Sequence, residues 1–405
     1  MNAPPMISVT DAQARILREI EPVRDVEPVP VARALRRVLA QDVLAPFDIP
    51  PADNSAVDGY AVHREDIPRE GRQRLRVVAD LPAGWIFEGL VERGETVRIM
   101  TGAPLPKGVD TVVPQELTER DGDGIWIPLI APCANVRLRG EDVMEGQRVL
   151  SAGTQLRPQE MGLLTSLGFA TVPAIRRPRV AVLSTGDEVA EPGQPRRPGQ
   201  IYDANRFSLI GLAENLGCEA FDFGIVPDLK DELRRRLLAA TEAADVVLTS
   251  GGVSVGVFDL VKEVLAEIGG IDFWQVNMTP GRPLAPGRIG HAHFFGLPGN
   301  PVASMVTFLV FVRPALWKLM GRRQIEPTCF QAIATSAMDK KLGRREFKRG
   351  VLTSTGQHWE VSTTGPQGSG ILTSMVLGNC LIILPEERGP VQPGESVLVE
   401  PFQEA

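Results

Sequence analysis

Residues 245–259 read DVVLTSGGVSVGVFD, and the fold is organised around this stretch. Val246, Val247 and Leu248 form a short apolar run that is typical of a strand buried on both faces of a parallel sheet. The run opens into a loop of glycines and hydroxyls, and the pattern from Leu260 predicts a helix behind it, capped by Asp259. Backbone N–H groups in such a loop can converge on an anion, although an ordinary strand-to-helix turn also needs small residues.

Two further apolar strands end in similar loops. The strand at 180–183 runs into STGDE at 184–188, and the strand at 293–295 runs into GLPGNP at 296–301. Ligands of open α/β sheets bind at the carboxyl ends of the strands. The sequence therefore predicts one site built from three loops. Carboxylates among anion-binding amides favour a divalent cation such as Mg²⁺ bridging protein to phosphate.

Length and charge narrow the class of protein. A chain of 405 residues is too long for one core, so we expect two to four domains. The net charge of -7 and the pI near 5.4 argue against nucleic acid as a partner. An anionic ligand must then be held by local positive charge and backbone amides.

The cysteines and the hydropathy pattern predict a cytoplasmic protein. The four cysteines are far apart with no C-x-x-C pair, which favours neither a zinc site nor a disulfide framework. The N-terminus lacks a basic segment followed by an apolar one, and we find no apolar run long enough to cross a bilayer. No membrane association is expected.

Periodicity and turn residues predict the remaining elements. A helix capped by Ser8 or Thr10 should run to Ile20, a second helix should cover 31–39, and 173–178 reads as a hinge. Between 75 and 128 short strands alternate with glycine turns, which predicts an all-β insert. Further helices are expected at 158–169, 206–216 and 229–240.

Several charged loops admit two interpretations. Asp53 and Asp58 lie in a proline-rich loop, where they either form turns or face a site beside Ser55. The run VRLRGED at 136–142 is at least as well explained as a solvated charged turn. His291 and His293 would share one strand face, and an exposed pair is favoured over a metal site because no third ligand is near. No Ser-His-Asp or Cys-His constellation is visible, which argues against covalent nucleophilic catalysis.

Taken together, these loops resemble the molybdopterin molybdenumtransferases, called MoeA in bacteria and the E-domain of gephyrin in animals. The matching segments occur in the family's order and cover nearly the whole chain. They are DNSAVDGYA at 53–61, MTGAP at 100–104, RGED at 139–142, STGDE at 184–188, YDAN at 202–205, SGGVSVG at 250–256, GLPGNP at 296–301, GRREFKRG at 343–350 and QGSG at 367–370.

The resemblance implies a multi-domain α/β and β fold. It comprises a helical linking domain at 1–49 plus 141–178, a β-rich insert at 50–140, a molybdopterin-binding-like α/β domain with a mostly parallel sheet at 179–326, and a C-terminal β-barrel domain at 327–405. The family forms elongated homodimers, in which the cleft lies between the α/β domain of one subunit and the insert of the other.

The resemblance also implies a reaction. The family takes adenylated molybdopterin and molybdate, uses Mg²⁺, releases AMP and inserts molybdenum into the dithiolene. Mg²⁺ would offset the charge that develops during phosphoanhydride cleavage. A MogA-type adenylyltransferase is the implied partner that supplies the adenylated substrate.

Residue by residue, the family's site maps onto this chain as two groups. The catalytic acids are Asp58, Asp142, Glu188 and Asp259, of which the last three are also the candidate Mg²⁺ ligands. Ser250, Gly251, Gly252 and Ser254 would hold the pterin phosphate. The other substrate-binding candidates are Thr101, Asp203, Asn205, Asp228, Arg282, Pro298, Ser304, Arg344 and Ser369, with Ser304, Arg344 and Ser369 around the molybdate pocket.

One segment departs from the family pattern. Where the family commonly has Lys-Pro-Gly-Lys, this chain has TPGR at 279–282. Thr279 therefore replaces a lysine, and the fourth position is an arginine. An arginine fork can grip two oxyanion oxygens, which leads to the hypothesis that Arg282, with Arg344, takes over much of the anion binding.

Two other functions remain open at this point. One is a non-catalytic scaffold of the gephyrin kind, which would predict loss of the acidic residues and an extra interaction segment. The other is a paralogue that handles tungstate or serves one molybdoenzyme, which the change at Thr279 mildly favours. Tungstate and molybdate are nearly isosteric, so no side-chain pattern separates them.

Overall fold

The computed structural model describes residues 6–251 and 259–402, with side chains for all of these except Asp259 and Leu260. The chain divides into two compact units. The first unit comprises Met1–Ala40, Gly153–Arg157 and Thr171–Ala405, and the second comprises Gln41–Ala152 and Pro158–Ala170.

The N-terminal segment contains the first predicted helix but not the second. Strand β1 (Met6–Ile7) leads into α1 (Val9–Glu19), where the Ser8 hydroxyl accepts the Asp11 N–H over 3.0 Å. Instead of a helix over 31–39, there is only a 3₁₀ turn at Val31–Arg33. Arg36 has φ of 62°, which an α-helix cannot accommodate. That prediction was wrong.

The second unit contains the all-β insert, as predicted. Its central sheet has six strands in the order β8-β5-β7-β6-β10-β9, with apolar side chains buried on both faces. This unit also contains two short strand pairs, β3–β12 and β4–β11. The elements are β3 (Val43–Leu44), β4 (Asn54–Ser55), β5 (Gly59–Val62), β6 (Arg72–Leu81), β7 (Glu95–Ile99), β8 (Thr111–Pro114), β9 (Glu119–Asp121), β10 (Gly124–Pro128), β11 (Val136–Arg137), β12 (Arg148–Leu150) and α2 (Pro158–Ser166).

The predicted hinge at 173–178 is in part a strand. Strand β13 (Thr171–Ile175) pairs antiparallel with β2 (Val26–Pro30). Pro173 lies opposite Pro28 in this pairing. The other edge of β13 contacts residues 38–40, where the Ile175 N–H donates to the Val38 carbonyl and the Pro173 carbonyl accepts the Ala40 N–H.

The first unit is built on an eight-stranded sheet in the order β1-β20-β22-β23-β18-β14-β17, with β19 paired to β22. One half of it, β23-β18-β14-β17, is parallel throughout, which confirms the predicted mostly parallel α/β fold. Besides β1, its strands are β14 (Arg179–Thr185), β17 (Glu219–Val226), β18 (Val246–Ser250), β19 (Gly269–Ile271), β20 (Trp274–Val276), β22 (Pro283–Ile289) and β23 (Ala292–Leu297). Outside this sheet, β15 (Val189–Ala190) pairs with β16 (Ile201–Tyr202), and β21 (Met278–Thr279) pairs with the C-terminal barrel.

Helices cover both faces of this sheet. One face packs against α4 and α5, and the other packs against α1, α3 and the helical run that starts at Pro301. The helices are α3 (Asn205–Leu216), α4 (Lys230–Ala243), α5 (Asp259–Ile268), α6 (Pro301–Thr307) and α7 (Arg313–Leu319), with a π-helical turn at Phe308–Val312 between the last two.

That helical run corrects the expectation that no apolar stretch could cross a bilayer. Within the described residues, Pro301–Leu319 is one helix of 19 residues whose length and composition would suffice. However, 89% of its most apolar window is buried inside the protein. The run is hydrophobic all round because it is the core helix of the first unit.

The C-terminal region forms a closed barrel, as the resemblance implied. Five strands follow the order β25-β26-β24-β28-β27, and β27 pairs again with β25 to close the ring. Strand β21 adds to β25 in parallel and joins the barrel to the α/β sheet. The elements are β24 (Phe330–Ala334), β25 (Arg345–Ser354), β26 (Trp359–Thr363), α8 (Thr373–Leu377), β27 (Cys380–Leu384) and β28 (Ser396–Pro401).

Candidate functional site

Three parallel strands end together at one edge of the α/β sheet. Ser184 of β14 lies opposite Ser250 of β18, which in turn lies opposite Leu297 of β23. Because the strands are in register, the loops that follow them begin at the same level. The three strand ends therefore meet at one level, as predicted, whereas residues 252–258 of the loop after β18 lie outside the described residues.

Asn205 ties two of these loops together. Its Nδ2 donates to the Ser250 hydroxyl over 2.6 Å and to the Gly299 carbonyl over 2.7 Å. Gly251 has φ of 95°, and a Cβ there would lie 2.9 Å from the Thr185 carbonyl oxygen. Only glycine fits there, and the Gly251 N–H donates to the Leu297 carbonyl over 3.1 Å, which ties the ends of β18 and β23 together. Gly252 and Ser254, and the side chain of Asp259, lie outside the described residues.

Asp203 has a supporting position beneath this edge. It is buried, accepts the Ser184 hydroxyl over 3.0 Å and accepts the Arg206 N–H over 3.1 Å. The Arg206 guanidinium lies 3.1 Å from it and also binds Glu191 and Asp222. The structure therefore places Asp203 in an ion-pair cluster around Arg206 that positions the start of α3.

A second acidic group lies where β14 and β17 end. Asp187 and Glu188 are exposed, and the Asp187 carboxylate accepts the N–H of Asp228 over 3.2 Å. Burial, followed by repulsion from Asp187 and Glu188, raises the pKa of Asp228. Carboxylates that disfavour each other's charge in this way are suited to share a cation.

The loop after β23 meets the C-terminal barrel. The Asn300 Nδ2 donates to the Ser369 hydroxyl over 3.1 Å, and the Val302 N–H donates to the Ser369 carbonyl over 3.1 Å. Pro298 is buried beside them in the sequence, and the Ser304 hydroxyl is fully buried with no hydrogen-bond partner among the described residues. A buried unpaired hydroxyl is costly unless a ligand or water satisfies it.

The structure distinguishes two arginines of the GRREFKRG segment. The side chain of Arg344 is exposed, and its carbonyl accepts the Lys340 ammonium. Arg349 is only 1% exposed and donates to the Ser374 hydroxyl and the Gly368 carbonyl, next to Ser369. No carboxylate among the described residues pairs with Arg349, and burial lowers its pKa to about 10. A desolvated, uncompensated guanidinium is a candidate anion donor.

Sequence reasoning chose Arg344 and missed Arg349. The available signal was strand parity, because Arg345, Phe347 and Arg349 share one face of β25 and an apolar residue at 347 indicates burial. Arg344 precedes the strand and has no such constraint.

The TPGR turn is held by close packing on α6. A Cβ on Gly281 would lie 2.3 Å from the Thr307 hydroxyl, and Gly281 has φ of 94°. Thr279 is exposed, and the Arg282 Nη2 lies 3.4 Å from the Met6 sulfur, with no carboxylate paired to it among the described residues. Arg282 thus carries a charge that is available to an anion.

The remaining site candidates belong to the second unit. Asp58 precedes β5 and accepts both the N–H and the hydroxyl of Thr101, over 2.8 and 2.7 Å. These two bonds, with a smaller contribution from Arg98, lower the pKa of Asp58. Asp142 is exposed, and its N–H donates to the Ile49 carbonyl.

The opposite edge of the α/β sheet holds charges of a different kind. Asp245, before β18, accepts two bonds from Arg176 over 2.9 and 3.0 Å and the Arg179 N–H over 2.7 Å. His293 is 7% exposed, so the expectation of an exposed histidine pair was wrong for this residue. Its strand lies inside the sheet, and burial, with Arg288 nearby, lowers the pKa of His293 to about 4.

The candidates therefore form groups. Ser250, Gly251 and Asn205 meet at the carboxyl edge of the sheet, and Glu188 and Asp228 lie at the ends of neighbouring strands. Among the described residues, no three His, Cys, Asp or Glu side chains form a closed metal site.

Three family models match successive segments of the chain. Residues 7–168 match the MoeA N-terminal region (domain I and II), 181–318 match the probable molybdopterin binding domain, and 331–402 match the MoeA C-terminal region (domain IV). The chain belongs to the MoeA family of molybdopterin molybdenumtransferases.

Relatives of this MoeA-family chain match it over nearly its full length. It is 42% identical to a molybdopterin molybdenumtransferase of Haemophilus influenzae, over 98% of this chain and 99% of the relative. It is 36% identical to molybdopterin molybdenumtransferase 2 of Mycobacterium tuberculosis, over 95% and 96%. The crystal structure of a molybdopterin biosynthesis MoeA protein from Pyrococcus horikoshii has a TM-score of 0.87 at 31% identity and covers 98% of this chain and 100% of that one.

Proposed function

We propose that this MoeA-family chain inserts molybdenum from molybdate into adenylated molybdopterin, with Mg²⁺-dependent release of AMP, in the cytoplasm. The observation that carries the proposal is the meeting of Ser250, Gly251 and Asn205 at the carboxyl edge of a parallel sheet. Ligands of such sheets bind at this edge, and a loop of hydroxyls and glycines suits a phosphate.

The phosphate of the pterin would lie on the loop after β18. Asn205 donates to the Ser250 hydroxyl and to the Gly299 carbonyl. These two bonds fix the end of β18 relative to the loop after β23 before a ligand binds. Preorganised donors lose little entropy on binding. In this proposal, Asn205 and Asp203 position the loops, and Ser250 and Gly251 contact the phosphate.

Molybdate, as the second substrate, would lie on the barrel side of the loop after β23. The buried Arg349 guanidinium, the Ser369 segment and the buried Ser304 hydroxyl supply a positive charge and polar groups there. Arg282 adds a second charge from the TPGR turn. Oxyanions are bound by such charge-assisted hydrogen bonds, which are roughly twice as strong as neutral ones.

The carboxylates fit Mg²⁺ by their chemistry. Asp187, Glu188 and Asp228 supply oxygen donors that repel one another without a cation. Mg²⁺ is commonly held by one or two carboxylates together with substrate phosphates, and when bound it would offset charge on the phosphoanhydride. Asp142 and Asp259 remain proposed ligands.

We further propose that two copies of the chain complete one site, with Asp58 and Thr101 contributed by the insert of the partner subunit. The Thr101 bonds hold Asp58 ionised and fixed, as a catalytic or binding acid requires. A MogA-type adenylyltransferase would supply the adenylated substrate.

The direct test gives purified protein adenylated molybdopterin, Mg²⁺ and either molybdate or tungstate, and follows AMP release together with cofactor formation. We expect both products to require the oxyanion and Mg²⁺. Asn205→Ala should reduce the rate on the order of tenfold or more, because two loops lose their shared donor. Asn215→Ala, on the same helix, is the matched control and should stay near the parent rate. Oxyanion-independent AMP release would contradict the proposal.

A second experiment tests the shared cleft. Asp58→Ala and Glu188→Ala subunits should each be inactive alone, whereas mixed dimers should regain one working site from their unmutated halves. Mixed dimers that stay as inactive as both parents would contradict the two-subunit site. The proposed reaction itself would then be decided by the first experiment.

A further inference from the structure

The insert contains a cavity at the place where its sheet curls. Strands β8 and β9 are consecutive in the chain but lie at opposite ends of the strand order, so the 3₁₀ turn at Gln115–Leu117 must bridge the two ends. Beneath that bridge is an open cavity of about 340 Å³. It is lined by Tyr60, Arg98, Gln115, Glu116, Thr118 and Arg120.

The two arginines of this cavity differ from several other arginines of the insert. Close ion pairs are formed there by Arg64, Arg72, Arg74, Arg76 and Arg93. Arg98, by contrast, lies 3.9 Å from the exposed Asp80 carboxylate. Arg120 donates to the Tyr60 hydroxyl over 3.4 Å and forms no ion pair within the described part of the chain. Both guanidinium groups therefore keep donors free for a ligand.

Strand pairing fixes the position of one of these donors. Tyr60 and Arg98 are directly opposed on β5 and β7, and Tyr60 is 3% exposed, so its ring is held in the core while its hydroxyl reaches the cavity. The acidic side chain in the cavity lining is that of Glu116, which lies in the exposed turn. The lining residues thus carry two guanidinium groups and one exposed carboxylate, and the Asp80 carboxylate lies outside the lining, 3.9 Å from Arg98.

The cavity adjoins a residue that the proposed function uses. The Gln115 N–H donates to the Asp58 carbonyl over 3.1 Å, and Asp58 is two residues before Tyr60. Arg98 is also close enough to Asp58 to favour its ionised form. A substrate that reaches Asp58 could therefore place another of its groups in the cavity.

We propose that this cavity binds a phosphate ester, with Arg98 and Arg120 as charged donors and the Tyr60 hydroxyl and Gln115 beside them. Paired arginines are well suited to phosphate because each fork can donate two parallel bonds. The identity of that ester rests on the proposed function, in which the adenylated substrate carries a nucleotide phosphate and a pterin phosphate. Arg98 and Arg120 would then select substrate through its phosphate rather than take part in bond breaking.

The test measures binding of AMP, inorganic phosphate and adenosine to the full chain by calorimetry, without molybdate or Mg²⁺. We expect Arg98→Gln and Arg120→Gln each to weaken AMP about ten- to hundredfold, since each removes a charge-assisted contact. Arg120→Lys should recover part of that loss. Arg74→Gln, which removes an ion-paired arginine from the same sheet, should leave AMP binding within twofold.

The three ligands identify the source of the phosphate. Equal weakening of AMP and inorganic phosphate supports a site for any phosphate, including that of the pterin, and weakening of AMP alone supports a nucleotide site. Unchanged AMP and phosphate binding in both glutamine variants, with melting temperatures like that of the parent, overturns the proposal. Failure of the proposed function is separate, because it would show as missing molybdate-dependent AMP release while this binding persists.

Discussion

The two edges of the α/β sheet both contain charged and polar side chains, but these side chains are paired at one edge and unpaired at the other. At the amino edge, Asp245 is neutralised by Arg176 and the Arg179 N–H, and the neighbouring His293 is buried without charge. At the carboxyl edge and the adjoining barrel, Arg349 is buried with no carboxylate, and the Ser304 hydroxyl has no partner among the described residues.

This difference shows how a stabilising charge can be recognised apart from a functional one. The charges of the amino edge satisfy one another, so a ligand would gain little from them. The polar groups of the other edge are desolvated and incompletely paired, which costs stability that a bound ligand would restore. The comparison predicts that substitutions at the two edges separate activity from stability.

Arg349→Gln should have the largest effect on activity. An unchanged rate in this variant would contradict the functional role assigned to the carboxyl edge. We expect the molybdate-dependent rate to fall on the order of 10²–10³-fold, as when a preorganised donor to an anion is removed. The melting temperature should stay or rise, because an uncompensated buried charge is removed. Rate measurement and calorimetry on the same preparation check this. Arg344→Gln, at the exposed candidate position of the same segment, should lower the rate less than Arg349→Gln does.

Asp245→Asn should show the reverse pattern. Burial opposes ionisation of Asp245, but the bonds from Arg176 and Arg179 prevail and lower its pKa. Losing this charge leaves Arg176 with only the exposed Asp25, so we expect a loss of about 3 kcal/mol in the free energy of unfolding. The rate per folded molecule should change less than twofold. Asp231→Asn, in an exposed pair with Arg234, should cost under about 1 kcal/mol. A large rate loss for Asp245→Asn would contradict the assignment.

His293 adds a pH dependence to the amino edge. Its folded pKa of about 4 is below the unfolded value near 6.5, so the unfolded chain binds more protons between these limits. The stability from neutral His293 is therefore complete above pH 6.5 and is lost as the pH falls toward 4, by about 2 kcal/mol at pH 5. Denaturant titrations from pH 7 to 5 should show this slope, and His293→Gln should flatten it. His291→Gln is the control.

Thr279→Lys should give the smallest effect, and it tests whether the TPGR turn belongs to the anion site at the carboxyl edge. A lysine at this exposed position would add a positive charge beside the TPGR turn. We therefore expect the molybdate concentration for half-maximal rate to fall about fivefold, equivalent to about 1 kcal/mol. Arg282→Ala should raise the same quantity. If Arg282→Ala leaves the molybdate dependence unchanged, the TPGR turn is not part of the anion site.

Much of the fold could be predicted because its signals are local. The apolar runs of β14, β18 and β23, each followed by glycines and hydroxyls, predicted the three strand ends that meet at Ser250. The Ser8 cap predicted the start of α1. The missing helix after residue 31 was not predictable from apolar periodicity, because Val38 and Leu39 are buried by pairing with Gln155 and Ala174, which are distant in the chain.

The site was predictable only where motif and geometry coincide. Ser250, Gly251 and Asn205 meet as expected, since short loops leave parallel strands at one level. The choice of Arg344 over Arg349, and the exposure assigned to His293, both depended on burial that tertiary packing decides. Charge and residue type alone do not report whether a side chain is paired.

The helix Pro301–Leu319 has a consequence for synthesis of the chain. Until the α/β sheet has formed around it, the newly made protein carries 19 residues whose hydropathy equals that of a membrane span. All eight strands of the sheet precede this helix in the sequence, so the surface on which it docks can be ready when the helix leaves the ribosome. Substitutions that slow folding of β14 or β18 should therefore reveal themselves in cells as aggregation or chaperone dependence before any loss of intrinsic catalytic rate.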